Sequence, residues 1–204
     1  NSETVPVFSR DDRFAATMTA ASDEDTMIQV WDLQSNADVP LHTFSSEKSL
    51  SDPIILPENQ GLAARIDEET ALVWTFQHES DTPVEVGKGT TAQNARSWFS
   101  DTGRFFSRSS QTTTTLWDLL SPEADPRTCP GWLMMNSDDR VAACTRQKKI
   151  TLWNFDAPGW QPSPLQVSGK GRVDFETIVF SPDGNLLAVE EFYWSPYRSS
   201  VLIF

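Results

Sequence analysis

The stretch MIQVWDL, residues 27–33, decides the fold because closely similar stretches recur along the chain. Its tryptophan, Trp31, is followed by Trp74 and Trp117 at intervals of 43 residues and by Trp153 after a further 36. All these segments are rich in β-branched and aromatic residues, as packed strands are. The other copies are ALVWTF (71–76), TTTLWDL (113–119), KITLWNF (149–155) and, at the end, SVLIF (200–204). A period of about 40 to 45 residues is typical of a four-stranded propeller blade.

A second pattern precedes each of these segments. It consists of two or three apolar residues, a polar turn rich in Asp, Asn, Pro or Gly, and a second apolar run, which predicts strand, tight turn, strand. The five copies are VFSRDDRFAA (7–16), ILPENQGLAA (55–64), WFSDTGRFFS (98–107), MMNSDDRVAA (134–143) and VFSPDGNLLA (179–188). Their aspartates are expected to form turns rather than to act as catalytic or metal-binding carboxylates. These aspartates are Asp11, Asp12, Asp101, Asp138, Asp139 and Asp183.

A weaker fourth strand follows in four of the units, and each copy begins at or beside a proline. The copies are VPLHTF (39–44), PVEV (83–86), PRTC (126–129) and PLQV (164–167). Proline suits an edge strand, where a ladder donor can be lost.

The three patterns together predict an all-β fold, a β-propeller of four-stranded antiparallel blades, with four complete blades and three strands of a fifth. Residues 1–204 are expected to form a single propeller segment. The blades are placed at about 5–44, 53–87, 95–129 and 132–168, with a partial blade at 175–204. The shorter step of 36 residues is attributed to a tight crossing at Cys129-Pro130-Gly131.

Composition limits the partners of the chain. A formal net charge of -13 counts against binding to nucleic acid and to anionic membrane surfaces, because both attract basic proteins. No apolar stretch approaches the roughly 18 residues that a membrane-spanning helix needs. We therefore expect neither nucleic acid nor a membrane as partner.

The two cysteines, Cys129 and Cys144, form no CxxC pair and are too few for a disulfide framework or a zinc site. Cys144 lies in the apolar run VAAC (141–144) and is expected to be a buried strand residue rather than a reactive thiol. This cysteine usage fits a reducing compartment and predicts a cytoplasmic location. No cofactor motif is present, so no cofactor is expected.

The residues just described resemble the WD-repeat family. The resemblance rests on Trp31-Asp32, Trp117-Asp118, the near match Trp153-Asn154 and the turn Phe180-Ser181-Pro182-Asp183-Gly184, and it covers essentially all 204 residues. The FSPDG turn is similar to that of bacterial members in particular. The resemblance implies a β-propeller that serves as a rigid platform for binding other proteins, usually without catalysis.

The chain departs from the family pattern at two places. The Gly-His dipeptide that precedes the first strand of family blades is missing from every unit, so the family's network of Asp, His, Ser or Thr, and Trp cannot be assembled in the family manner. The second unit is the most diverged, with Trp74-Thr75 in the third strand and Leu56-Pro57 where its neighbours have Phe-Ser.

The count of strands also predicts that the chain is a segment of a longer propeller. Only Asn1 to Thr4 precede the first strand, which is too few residues for an outer strand and its connection. An open arc would leave blade faces and strand edges exposed and prone to association.

The connections between second and third strands differ in charge. The resemblance to family blades places them on one face, the face that also carries the crossings between blades. The first two are acidic, Ser22 to Asp25 and Asp67 to Glu69, and the next two are basic, Arg108 to Gln111 and Arg146 to Lys149. A face graded from acidic to basic could orient a protein partner by complementary potential. The alternative is that these are ordinary solvated turns. The candidate protein-binding residues on this face are Asp23, Glu24, Asp25, Arg146, Lys148 and Lys149.

The segment from Glu190 to Arg198, between the second and third strands of the fifth unit, is longer than its counterparts. It is rich in the aromatic and arginine residues that are enriched in interface hot spots. The alternative is that both strands run longer, pack these aromatics on the neighbouring blade and are joined by a Ser-Pro turn. The candidate contact residues here are Phe192, Tyr193, Trp194, Tyr197 and Arg198.

These observations predict a non-catalytic scaffold for protein–protein interaction, as the binding or sensing part of a larger multidomain protein. Its partners would be other proteins or flanking domains of the same chain. The alternative is a propeller hydrolase using carboxylates near the central channel, since a glycosidase needs two such groups across a cleft. Against an enzyme stand the absence of a GxSxG motif and the presence of only two histidines, His42 and His78, both predicted at peripheral positions.

Overall fold

The computed structural model describes most of the chain, and the strands dominate it. The described residues are 6–20, 25–35, 38–76, 82–88, 95–110, 112–146, 149–157, 159–160, 162–165, 172–194 and 197–204. Residues 20, 172–177, 191–194 and 197–198 are described by their backbone alone.

The first two sheets each contain four antiparallel strands in chain order. Strands β1 to β4 are Val7–Phe8, Phe14–Ala20, Thr26–Asp32 and His42–Ser46. Strands β5 to β8 are Ser51–Ile55, Gly61–Arg65, Ala71–Thr75 and Val84–Val86. A turn of 3-10 helix, Pro57–Asn59, lies between β5 and β6.

The third and fourth sheets repeat this arrangement, and the fifth has three strands. Strands β9 to β12 are Arg96–Phe99, Phe105–Ser109, Thr113–Asp118 and Arg127–Pro130. Strands β13 to β16 are Trp132–Met135, Val141–Arg146, Lys149–Asn154 and Pro162–Leu165. Strands β17 to β19 are Arg172–Phe180, Leu187–Trp194 and Tyr197–Ile203. The predicted fold class is confirmed: the chain is all-β and of the β-propeller class, and its described residues form four four-stranded blades and a fifth of three strands.

The chain divides into two compact units. The first comprises Asn1–Thr91, Arg96–Phe106 and Trp117–Pro126, and the second comprises Ala92–Ala95, Ser107–Leu116 and Arg127–Phe204. Residues of the third sheet therefore belong to both.

The core of the first unit lies on both faces of the second sheet. One face carries Leu62 and Trp74, which pack with residues of the first sheet such as Phe14 and Val30. The other face carries Ala63 and Val73, which pack with residues of the third sheet, and these are Phe106, Trp117 and Leu119. A strand buried on both faces needs apolar residues at consecutive positions, which explains the unbroken runs LAA and ALVW of this sheet.

In the second unit, the chain passes from the third sheet to the fourth through one residue. Strand β12 pairs with β11, strand β13 pairs with β14, and only Gly131 separates β12 from β13. Gly131 has φ +84°, and a Cβ there would lie 1.9 Å from the backbone oxygen of Thr145. Only glycine fits this close approach. The crossing lies where the short sequence step predicted it.

The two cysteines form a single disulfide across this crossing, a pairing that the sequence did not predict. Cys129 in β12 and Cys144 in β14 are joined, with 6.1 Å between their Cα atoms. Both are buried, so the prediction that Cys144 is a buried strand residue is confirmed. Spacing along the chain could not reveal the pair, because only the change of sheet at Gly131 brings the strands together. Disulfides persist mainly in oxidising environments, so this pair counts against the predicted reducing compartment.

Candidate functional site

The turns between first and second strands share one hydrogen-bonding pattern in four of the five sheets. In each, the side chain of the first turn residue accepts a bond from the backbone N–H five residues later, which closes the turn. The bonds run from Phe14 N to Ser9 Oγ at 2.8 Å, Phe105 N to Ser100 Oγ at 3.0 Å, Val141 N to Asn136 Oδ1 at 3.0 Å and Leu186 N to Ser181 Oγ at 2.9 Å. The second sheet has Leu56 at this position, which offers no such acceptor, and its turn is the 3-10 segment.

The aspartates in these turns have the predicted role. Asp12 and Asp139 adopt left-handed backbone conformations, at φ 56° and 59°, where the equivalent residues of two other turns are Gly103 and Gly184. Asp is one of the few residues with a side chain that tolerates this region. Asp11, Asp138 and Asp183 instead accept hydrogen bonds from the backbone N–H two residues later. Asp101 also lies in its turn.

The aspartate of each Trp-Asp dipeptide binds an arginine from the turn of its own sheet. Arg13 donates to Asp32 at 3.1 Å, and Arg104 donates to Asp118 at 3.0 Å. The hydrogen bond from Arg13 is the main cause that lowers the pKa of Asp32. These carboxylates therefore connect strand and turn.

Two turn aspartates also have lowered pKa values. Hydrogen bonds from Ser9, Asn59 and the backbone of Arg13 lower the pKa of Asp11 to about 2. Hydrogen bonds from Ser181 and then Asn185 lower the pKa of Asp183. A general acid in a glycosidase needs a raised pKa, so these shifts have the wrong direction for that role.

The tryptophans of the repeated third strands differ from one another in the hydrogen bonding of their indole N–H groups. Trp31 Nε1 donates to Thr17 Oγ1 in the neighbouring strand at 3.2 Å. In the part of the chain that the structure describes, the buried Nε1 atoms of Trp74 and Trp153 have no hydrogen-bond partner. By strand register, the position of Thr17 is taken by Ala64 and Cys144 in those sheets. Neither side chain is a good acceptor, so the second and fourth sheets lack the indole bond of the first.

The charged candidates on the second-to-third-strand connections are only partly described. Asp25 is exposed and precedes β3, in the first unit. Arg146 and Lys149 are exposed and pair across the hairpin of β14 and β15, in the second unit. Asp23, Glu24 and Lys148 lie outside the described residues. A single face graded from acidic to basic stays a prediction.

Arg108 does not lie in a basic loop as predicted. It is a residue of β10 and only 3% exposed. The hairpin to β11 is tight, with Ser110 N donating to Thr113 O at 2.8 Å, so the strand continues through Ser109. The sequence pattern could not locate the end of this strand.

The aromatic segment forms paired strands. Trp194 pairs with Tyr197, Tyr193 with Arg198, and Phe192 with Ser199. The strands thus run longer than a loop would require, as the alternative interpretation expected. The side chains of residues 191–194, 197 and 198 lie outside the described part, so their role in contact stays a prediction.

The fifth sheet has one packed face and one exposed face. Ile178, Leu187 and Val189 are buried against Ala143 and Ile150 of the fourth sheet. The opposite face, here called the open face, consists of the positions that alternate with these. Its described residues are Val179, Ala188, Glu190, Val201 and Ile203.

Three large apolar side chains of the open face are exposed: Val179 at 59%, Val201 at 63% and Ile203 at 68%. The alternation in SVLIF predicted a strand, but it could not tell which face another sheet would cover. An exposed blade face was expected of an open arc, but the sequence did not identify these residues as its members.

The described histidine, His42, packs among aromatic rings. His42, in β4, stacks on Phe76 with 4.6 Å between ring centroids and on Phe44 at 5.8 Å. His78 lies outside the described residues.

Among the residues that are described, no three His, Cys, Asp or Glu side chains are grouped as a metal site would require. In the same part of the chain, no helix has the length and apolar character to cross a membrane.

Comparisons with known proteins add one structural likeness. No protein-family model matches the chain, and no curated protein sequence matches it. Among solved structures, it is similar to the β-propeller domain of Cps50 (Swd1) from Myceliophteria thermophila, at 12% identity and a TM-score of 0.47. The likeness covers 97% of this chain and 72% of that domain.

Proposed function

We propose that this chain is a non-catalytic β-propeller scaffold of the WD-repeat type that binds other proteins. The observation that supports the proposal is the open face, where Val179, Val201 and Ile203 expose apolar surface that a partner protein or a flanking domain of the same chain would cover. Contiguous exposed apolar surface of this kind is typical of protein interaction sites.

The aromatic segment belongs to the same proposal. Residues 192–194 and 197–198 continue the two strands, β18 and β19, that carry most of the open face. By strand register, Phe192, Trp194 and Tyr197 occupy positions of the open face, whereas Tyr193 and Arg198 occupy positions of the opposite face. We assign all five to partner contact on the enrichment of these residue types in hot spots.

The charged residues form a second and separate part of the proposal. Arg146 and Lys149 would steer an acidic partner segment in the second unit, and Asp25 a basic one in the first. Asp23, Glu24 and Lys148 share these assignments by their position in the sequence alone.

The wider setting follows from the family resemblance. We infer that the chain is the binding or sensing part of a larger multidomain protein, with protein partners rather than nucleic acid, since its net charge is -13. A hydrolase is not favoured by any of the carboxylates described above. A cytoplasmic location is at odds with the Cys129–Cys144 disulfide, so no compartment is part of the proposal.

The test is affinity capture from the source cell with matched surface variants. Val201→Asp places a charge on the open face, and Val39→Asp places the same charge at an equally exposed valine in the first unit, at 67%. Mass spectrometry should identify proteins retained by the wild type and by Val39→Asp but lost with Val201→Asp. Equal retention by the two variants, or no reproducible retention by the wild type, would contradict the proposal.

A further inference from the structure

Three hairpins that connect second and third strands lie at one end of the second unit. Ser137 Oγ donates to the backbone oxygen of Pro182 at 3.1 Å, so the turns β13–β14 and β17–β18 lie at the same end. The hairpins β14–β15 and β18–β19 therefore lie together at the opposite end, here called the hairpin end. Gly131 places the hairpin β10–β11 there too. Its N–H donates to the backbone oxygen of Thr112 at 2.8 Å, and a Cβ on it would lie 3.0 Å from the Cβ of Arg146.

The hairpin end is basic, although the formal net charge of the whole chain is -13. Arg146 and Lys149 are exposed and lie directly opposite each other in β14 and β15. The turns at the other end of the same sheets carry Asp138, Asp156 and Asp183. No Asp or Glu occurs in the sequence of the three hairpins and the crossing, which comprise residues 107–116, 127–131, 144–150 and 194–198.

The two cations of the hairpin end are not neutralised by carboxylates of the same chain. At the turn end, Arg140 pairs with Asp156 at 3.0 Å. Among the residues that the structure describes, neither Arg146 nor Lys149 has a carboxylate within ion-pair distance. Their charges are therefore available to a bound partner.

The position of these cations is fixed by bonds between the third and fourth sheets. Cys144 precedes Arg146 by two residues, so both lie on one face of the fourth sheet, and Cys144 is bonded to Cys129 of the third sheet. Thr114 Oγ1 donates to the backbone oxygen of Gly131 at 2.7 Å, which ties the hairpin β10–β11 to the crossing. A site that is ordered before binding loses less conformational entropy when its partner arrives.

We propose that the hairpin end binds an acidic segment of a partner protein, in extended conformation, with Asp or Glu at two positions separated by one residue. This inference rests on the proposed function, because it specifies the segment that Arg146 and Lys149 bind. Side chains directly opposite in an antiparallel pair lie about 5 Å apart. Alternate side chains of an extended segment lie about 7 Å apart on one side, so each cation reaches one carboxylate. The exposed hydroxyl of Thr112 is a further donor beside them.

A short acidic segment suits this end better than a nucleic acid does. A nucleic acid strand carries a phosphate charge about every 3.4 Å along its length. Beyond the few cations of the hairpin end, a chain with a net charge of -13 repels such a polyanion. A peptide carries its negative charges only where they meet the cations.

The test uses peptides selected on the wild-type chain from a displayed library of random decapeptides. Selected peptides should be enriched in Asp or Glu at alternate positions. By fluorescence polarisation, Lys149→Glu should weaken their binding at least about tenfold, because a like charge then faces the peptide. Arg146→Gln removes one charge and should weaken binding about threefold or more.

The matched control is Lys48→Glu, which makes the same change of charge at an exposed lysine of the first unit. Binding of the selected peptides to this variant should stay within about twofold of the wild type at physiological ionic strength, where charges more than about 8 Å away are largely screened. Both lysines are exposed, so thermal unfolding of the two variants should match that of the wild type.

Each other outcome overturns the inference. Equal losses with Lys149→Glu and Lys48→Glu would show that only the overall charge matters. A single-stranded DNA oligonucleotide that binds as tightly as the peptides would show unspecific attraction of polyanions. Self-association that Lys149→Glu abolishes, seen by sedimentation, would identify the acidic turns of a second copy as the occupant. Failure to select acidic peptides would also overturn it, and the capture experiment with Val201→Asp and Val39→Asp would then decide the proposed function separately.

Discussion

The carboxylate of Asp11 accepts a hydrogen bond from the side-chain amide of Asn59 at 2.9 Å, which joins the turn of the first sheet to the turn of the second. A similar bond occurs in the second unit, where Ser137 Oγ donates to the backbone oxygen of Pro182 at 3.1 Å. In these two pairs of sheets, the turns are thus bonded to each other as well as closed internally. Each of these bonds links two neighbouring blades at their turns.

The bond to Asn59 predicts a pH dependence. The pKa of Asp11 is lowered from 3.8 to about 2 by the hydroxyl of Ser9, Asn59 and the backbone of Arg13. A lowered folded-state pKa contributes stability that is present above the unfolded value and is lost as pH falls through the folded value. The wild type should therefore exceed Asp11→Asn in free energy of unfolding at pH 7, and this difference should shrink between about pH 4 and 2. Urea unfolding at a series of pH values measures it, and a difference that is constant down to pH 2 would exclude the assigned cause.

The indole bond of Trp31 predicts a specific loss of stability. Thr17→Val removes the acceptor of the Trp31 N–H and keeps the side-chain shape. The free energy of unfolding should fall by about 1 kcal/mol, since a half-buried donor loses its partner. Thr17→Ser retains the hydroxyl and is the control, expected to lose less. If both variants unfold at the same urea concentration, the bond contributes nothing.

The disulfide predicts a redox-dependent stability. Cys129 and Cys144 are 15 residues apart in sequence, and a closed loop of that length is worth about 3 kcal/mol in the chain-entropy model. A variant with both residues changed to Ala should have a lower melting temperature, which dithiothreitol does not change further. The wild type should melt lower when reduced. Thiol titration of the unreduced, denatured protein should find no free thiol; two thiols would show that the pair is open.

The crossing at Gly131 predicts a severe effect from a small change. Gly131→Ala places a Cβ against the backbone oxygen of Thr145 in a left-handed conformation. The expected loss is about 3 kcal/mol or more, because backbone on both sides must move. Pro130→Ala, at the exposed neighbouring residue, should change stability by less than about 0.5 kcal/mol. Thermal unfolding of the two variants compares them directly, and similar melting temperatures would mean that the crossing adapts.

Local patterns explain why most of the fold could be predicted from the sequence. The alternation around Trp31 and the turn from Ser9 to Phe14 depend on residues that are neighbours in the chain, and their copies recur with the same bonds. The same reasoning accounts for the diverged second unit. Leu56 lacks the hydroxyl that Ser9 provides in the first unit, and the turn of the second unit forms a 3-10 segment instead. Strand propensity, turn chemistry and hydrophobic periodicity each depend on a few neighbouring residues, so these features can be recognised in a single sequence.

The candidate site was less predictable because it depends on what packs against what. The aromatic segment was recognised by residue type. An exposed blade face was expected, but Val179, Val201 and Ile203 were not identified as its residues, and Arg108 was placed in a loop although it is buried in a strand. Alternation of apolar and polar residues identifies a strand that has one apolar face and one polar face. It does not indicate which face or which edge of that strand another sheet will cover.

The amino-acid sequence by itself determined the strands, their turns and their grouping into repeated sheets, because backbone preferences and hydrogen bonds between near neighbours suffice for these. The tertiary structure alone decided the pairing of Cys129 with Cys144, the burial of Arg108 and which side chains of the fifth sheet pack against the fourth. Each of these features depends on contacts between residues that are far apart in the sequence. The packing of whole sheets brings such residues together, and a local sequence pattern does not reveal that packing.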